Sequence, residues 1–169
     1  MVNPQAEIIK SILKWCGYES YLELGIHNGD TFYYVASGLK RAHGVDVVDS
    51  RINKSGSFSL MTTDKFFSSN QENFDAIFID AFHNYVQVKV DFSNSLKILN
   101  SNGIIFLHDT DPINESYTQE CFCSDSYKMI DYIKSNYPDL DILTLPEGAA
   151  GLSLVRRAKD RRVLKFMRD

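Results

Sequence analysis

The chain has 169 residues, 44% hydrophobic and 24% charged, with a net charge of −4, the composition of a single ordinary globular domain. That length can bury one core without disulfides, and no apolar run approaches the roughly 20 residues of a membrane span. The last fourteen residues, "RRAKDRRVLKFMRD", hold seven basic residues against two acids, leaving residues 1–155 with eleven basic against twenty acidic, or −9; so acidic a body argues against specific nucleic-acid binding, which needs Lys and Arg against phosphate.

From the N-terminus, "MVNPQAEIIKSILKWCG" reads as an amphipathic helix without the apolar core of a signal peptide. "YLEL" (21–24) is a short apolar strand ending at "GIHNG", where Gly25 and Gly29 punctuate a turn. Residues 30–40 follow as a helix with Asp30 or Thr31 near its N-cap. "AHGVDVV" (42–48) and "SFSLMTT" (57–63) read as a second and third strand, with only the short "SRINKSG" between them. "FDAIFIDA" (74–81) is apolar on both faces, as a buried parallel strand should be. A helix over 86–99 is expected to turn Val86, Val90, Leu96 and Leu99 inward, and "GIIFLHD" (103–109) is a fifth strand. A long loop (110–124) leads to a helix near 126–136, and then "LDILTLP" and "GLSLVRR" form an antiparallel hairpin.

Strands alternating with helices predict an α/β fold: a Rossmann-like, doubly wound, mostly parallel sheet in one domain over 1–157, with 158–169 as a basic tail. The tail reads either as a solvated end or as a contact for an anionic partner. Ligands of such sheets lie beyond the C-terminal strand ends. Glu23, Asp46, Asp64, Asp80, His83, His108 and Asp109 all fall there. Gly25 permits a tight turn and close ligand approach, while Gly29 lets the next helix pack on its strand. Asp46, 21 residues after Gly25, is placed to accept hydrogen bonds from ribose hydroxyls or to cap a loop. Asp64 is placed either for an adenine amino group or for no ligand at all.

"YLELGIHNGDTF", "GVDVVDS", "FDAIFIDAFHNY" and "NGIIFLHDTDP" together resemble the successive motifs of class I S-adenosylmethionine-dependent methyltransferases. The likeness covers roughly 18–157 and is nearest to the small-molecule and sugar O-methyltransferase branch that includes macrolide-sugar enzymes. It implies a seven-stranded sheet with an antiparallel C-terminal strand, and S-adenosyl-L-methionine held by Glu23, Gly25, Gly29, Asp46 and Asp64. Related enzymes bind Mg²⁺ or another divalent cation with an acid in the Asp80 position and an acidic pair at 108–109. His108 departs from that pair. The metal set read here is Asp80, His108 and Asp109; the catalytic residues are His83, as general base, and Asp80. A structural reading of His83, His108 and Asp109 stays open, and His27 and His43 are left as structural.

The loop 110–124 is long for a connection, which favours a lid or a substrate-binding role with Glu115 and Tyr117 as contacts. The acceptor is read as a small hydroxylated molecule; either it fits within one subunit or a second copy in a homo-oligomer helps to enclose it. Cys16 stands alone, and Cys121 and Cys123 have one residue between them, poor spacing for zinc or a redox C-x-x-C, so the protein reads as reduced and cytoplasmic. Two rival readings are a non-catalytic cofactor-binding module and a nicotinamide oxidoreductase. The incomplete glycine fingerprint and the terminal hairpin count against the latter.

Overall fold

The computed structural model describes residues 3–49 and 56–158. Most of "SRINKSG" and the tail beyond Ala158 lie outside the described residues. The elements run α1 (Pro4–Cys16), β1 (Ser20–Leu24), α2 (Asp30–Ala36), β2 (Arg41–Asp46), β3 (Ser57–Leu60), α3 (Thr63–Ser69), β4 (Phe74–Ile79), α4 (Tyr85–Ile98), β5 (Leu99–His108), α5 (Met129–Asn136), β6 (Leu140–Leu145) and β7 (Leu152–Arg157). The seven strands lie in the order β3-β2-β1-β4-β5-β7-β6. β1 pairs in parallel with β2 and β4, and β4 with β5, whereas β7 is antiparallel to both β5 and β6. This is the Rossmann-like, doubly wound sheet with one inserted antiparallel strand that the motifs implied. Among the described residues no helix is long and apolar enough to cross a membrane.

Both faces of the sheet are covered, and the period-2 alternation of the strands sorts their side chains between two cores. Leu22, Leu24, Ile77, Ile79, Ile105 and Leu107 meet Phe66, Val88, Phe92, Met129 and Ile133 of α3, α4 and α5. Tyr21, Ala76, Phe78, Ile104 and Phe106 meet Ala6, Ile9, Leu13, Phe32 and Val35 of α1 and α2.

Three local expectations change. α3 stands where the third strand was expected to continue: the strand stops at Leu60, and the Thr62 hydroxyl accepts from Lys65 N (3.3 Å), with Asp64 in the first turn. α2 is capped by Gly29 in the left-handed region rather than by Asp30 or Thr31, and it ends at Ala36. α4 turns Val88, Asp91, Phe92 and Ser95 inward, while Val86 (67% exposed) and Val90 (38%) face out. Two polar residues in the inward stripe hide it from an apolar pattern.

The end of the sheet opposite the polar cluster is tied by Asp75. Its Oδ2 accepts from Glu19 N (3.0 Å), Ser20 N (3.0 Å) and Ser20 Oγ (2.8 Å), and its Oδ1 accepts from Asn100 Nδ2 (2.7 Å). Arg157 donates to the carbonyls of Leu96 (2.7 Å) and Leu99 (3.3 Å), closing the C-terminus of α4. Burial pushes the Asp75 pKa up, but the bonds from Asn100, Glu19 and Ser20 outweigh it and hold the carboxyl below its ordinary range. A depressed folded-state value means that Asp75 contributes fully above about pH 4, the unfolded range, and loses its contribution as pH falls through the folded value. Urea unfolding of Asp75→Ala should therefore show a loss of about 1–2 kcal/mol at neutral pH, modest because the carboxylate is partly exposed. The gap to the parent should shrink in acid; an equal gap at all pH values would refute the ionised tie.

Candidate functional site

β1 and β4 run side by side, and their pairing continues past the strands through the bond from Asp80 N to Leu24 O (2.9 Å). Gly25 turns the chain there at φ 82°, and a Cβ on it would lie 2.2 Å from the Asp80 carbonyl oxygen and 2.4 Å from Ala81 Cα. The glycine is thus required by the neighbouring backbone as well as by the turn. Gly29 has φ 81°, and a Cβ there would meet the Tyr33 ring at 2.4 Å.

Asp46, at the end of β2, holds this turn. Its Oδ2 accepts from Ile26 N and His27 N, both at 2.8 Å, and its Oδ1 from Val48 N at 2.9 Å. The loop-capping alternative for Asp46 is therefore realised, while the residue also stands on the wall of a cavity. Glu23 is 1% exposed and accepts from the Tyr21 hydroxyl at 2.5 Å. Burial pushes its carboxyl well above the ordinary range, which the Tyr21 bond opposes and the charges of Asp80 and Asp46 reinforce. Such a group favours its neutral form.

The cavity occupies about 870 Å³, in the range of sites for small-molecule ligands. Glu23, Gly25, Asp46, Asp64, Asp80, His83 and His108 all line it, whereas Gly29 and Asp109 do not. Sequence reasoning missed Met61, Thr63, Phe82 and Gln87, which also line it. The Gln87 amide nitrogen donates to Asp91 Oδ1 (3.1 Å), Thr63 Oγ1 (3.3 Å) and Asp64 Oδ1 (3.3 Å), which joins α4 to the start of α3. The Thr-Thr-Asp run at 62–64 carries a cap signal that would have located this wall; an isolated Gln carries none. His43 is structural, with its ring nitrogens against Ser57 Oγ (2.7 Å) and Ser59 Oγ (2.9 Å).

At the other end of the cavity the ends of β4 and β5 meet, since Ile79 registers with Leu107. Asp80, His83, His108 and Asp109 offer ligand atoms that all lie within 4.8 Å of one another. His108 Nδ1 is 2.8 Å from Asp80 Oδ1 and 3.2 Å from Asp109 Oδ1. His83 Nε2 is 3.4 Å from Asp80 Oδ1. His83 Nδ1 lies 2.9 Å from the Phe122 carbonyl, which can only accept, so this nitrogen carries a proton. Asp109 Oδ2 lies 2.6 Å from the same Nδ1, an ion-pair contact with the imidazole. Asp109 is 3% exposed and sits at φ 58°, a left-handed conformation that is sparsely used outside glycine.

The carboxylates of Asp109 and then Asp80 raise the His83 pKa well above its ordinary value, against the effect of burial. Burial pushes Asp80 up, but the charges and hydrogen bonds of His108 and His83 more than offset it, so its carboxyl is held low. The long loop is folded over this corner. Asp111 N and Ile113 N donate to the carbonyls of Ala150 (2.8 Å) and Ala149 (3.0 Å), and the Ser126 hydroxyl donates to Asp109 O (3.2 Å). Of the contacts expected from it, neither Glu115 nor Tyr117 lines the cavity; the Tyr117 ring lies 5.1 Å from that of Phe122.

Residues 22–110, just over half of the chain, match the family described as "Methyltransferase domain". No curated protein matches the sequence. Among solved structures, an O-methyltransferase from Bacillus cereus in complex with SAH is 18% identical with a TM-score of 0.71, covering 93% of this chain and 82% of that one. The O-methyltransferase TomG from Streptomyces achromogenes, involved in tomaymycin synthesis and solved with SAM, is 13% identical with a TM-score of 0.67, covering 92% and 80%. The N-methyltransferase NodS from Bradyrhizobium japonicum is 15% identical with a TM-score of 0.66, covering 92% and 93%. Identities this low carry the fold and no more.

Gly25→Ala should be destabilising by at least about 2 kcal/mol, because it adds a left-handed penalty to a backbone clash. Chemical denaturation measures this directly, and a variant as stable as the parent would contradict the close approach of Gly25 to Asp80.

Proposed function

We propose that this chain, which belongs to the methyltransferase-domain family, is an S-adenosylmethionine-dependent O-methyltransferase acting on a hydroxyl of a sugar or other small metabolite. The observation that carries this is the continuity of one cavity. It runs from the Glu23–Gly25 turn and Asp46, through Thr63 and Asp64, to Asp80, His83 and His108. A cofactor held at the first end would present its reactive group to acid–base residues at the second. The acidic wall (Asp30, Asp46, Asp64, Asp80) suits a cationic ligand.

In this reading Glu23, Gly25, Gly29, Asp46 and Asp64 form the cofactor's surroundings, and Gly29 acts through the turn rather than by contact. Bound S-adenosylmethionine supplies a methyl group on a sulfonium, already an electrophile with a good leaving group, so most of the protein's task is positioning. In its neutral form, with Nδ1 donating to the Phe122 carbonyl, His83 would take the acceptor's hydroxyl proton at Nε2. Its side chain is more open (34%) than that of His108 (19%), as a base that meets an acceptor must be.

The residues fit a divalent cation. Asp80, His108 and Asp109 would hold it, since their ligand atoms and that of His83 all lie within 4.8 Å of one another. Bound there, such an ion would orient the acceptor hydroxyl and lower its pKa. Its charge would also neutralise the two carboxylates that hold His83 protonated, returning the imidazole towards the range in which it can act as a base. Three free cysteines agree with a reducing, cytoplasmic setting. The acceptor is small enough for one subunit, or a second copy completes its enclosure.

The decisive measurement is methyl transfer to a panel of hydroxylated metabolites, with product mass determined. Calorimetry should show binding of S-adenosylhomocysteine and not of NAD, and Asp46→Ala should weaken that binding by about 1–3 kcal/mol as the turn and its polar contacts are lost. Tight NAD binding would favour the oxidoreductase instead, and cofactor binding without any transfer would favour the non-catalytic module. His83→Ala should lower turnover by about 10²- to 10⁴-fold with cofactor binding retained, the usual contribution of a positioned base. An active His83→Ala enzyme would remove the residue from that role.

A further inference from the structure

We infer that the corner formed by Asp80, His108 and Asp109 selects a borderline first-row dication such as Co²⁺, Fe²⁺ or Zn²⁺ over Mg²⁺, with His108 making the choice. This rests on the functional reading above and adds the class of ion to it. Two carboxylates alone would suit a hard ion that prefers oxygen and keeps several waters. Here a nitrogen is placed between them, with His108 Nδ1 2.8 Å from Asp80 Oδ1 and 3.2 Å from Asp109 Oδ1. Imidazole favours the later transition ions, whereas carboxylate and water favour Mg²⁺.

The cluster can gather round one ion: the ligand atoms of Asp80, His83, His108 and Asp109 all lie within 4.8 Å of one another, and Asp109, 3% exposed and held at φ 58°, turns its carboxylate into them, with Oδ2 2.6 Å from His83 Nδ1. A buried carboxylate needs positive charge beside it, which His83 supplies and a cation could share. The segment from Phe122 to Ser126 lies against the corner, through the Phe122 carbonyl on His83 and the Ser126 hydroxyl on Asp109 O. Three protein ligands are the usual complement of catalytic sites for such ions, and Asp80 and His108 line the cavity, so an acceptor there would reach the ion beside His83.

Most sites bind Zn²⁺ or Co²⁺ more tightly than Mg²⁺, so affinity alone decides nothing; the change in the ratio does. The full chain, stripped of metal, is titrated with CoCl₂ and with MgCl₂ by calorimetry, and Co²⁺ binding is followed by its visible absorption. One Co²⁺ per chain is expected. His108→Asp, which restores an all-oxygen set, should narrow the Co²⁺ to Mg²⁺ preference by about 10- to 100-fold and weaken the visible band. His108→Asn serves the same purpose should the added charge prevent folding. Asp109→Asn should weaken both ions and leave their ratio nearly unchanged. An unchanged ratio in both His108 variants, or no Co²⁺ bound by the parent, overturns the inference. S-adenosylhomocysteine titrated in parallel tests the cofactor reading separately, since its proposed contacts lie at the other end of the cavity.

Discussion

The site depends on one close contact, the passage of Gly25 against the backbone of Asp80. The parallel ladder between β1 and β4 continues one step beyond both strands, and there a Cβ would stand 2.2 Å from a carbonyl oxygen. Because that atom is missing, the two chains can diverge around a shared opening instead of being forced apart. One branch leads through the turn held by Asp46; the other leads through Asp80 to His83. The cavity is the space between them, and its two chemical halves are joined by backbone geometry rather than by a side-chain contact.

Charge is managed differently in the two halves. Glu23 is buried with a tyrosine hydroxyl as its partner and is pushed towards its neutral form. Asp80 and Asp109 are set against two imidazoles, and the charge pairs off at the cost of fixing His83 as an acid. Acid–base chemistry at that histidine therefore needs the carboxylates engaged elsewhere.

Much of this was legible in the residues. Strand–helix alternation, the glycine spacing and the polar residues at the strand ends located the sheet and the cavity at its C-terminal strand ends. The meeting of Asp80 with His108 followed from β4 and β5 being neighbours. What escaped were features whose signals are local and polar. A Thr-Thr-Asp cap after an apolar strand looks like more strand until the helix is seen. In α4, Asp91 and Ser95 occupy inward positions while Val86 and Val90 face out, so counting apolar residues selects the wrong side. Asp46 occupies the expected place at the end of β2, but no spacing rule says that its oxygens are taken up by the turn itself. The fold of the long loop also escaped, because backbone bonds to residues 149 and 150 leave no mark on composition.

The inserted position of β7 affects the order in which the molecule can be completed. β5 carries His108 and leads into Asp109, yet its neighbour on the far side is β7, the last strand among the described residues, with His108 opposite Leu152. During synthesis β5 emerges with one edge open, and β6 emerges with no partner beside it at all, since it touches the sheet only through β7. The far edge of β5 stays unpaired until the residues of β7 have left the ribosome. The Arg157 guanidinium that seats the end of α4 arrives at the same moment. A nascent chain stopped short of that point has the Gly25 turn of its opening in place and a bare strand edge beside His108, the kind of surface that recruits chaperones or other chains.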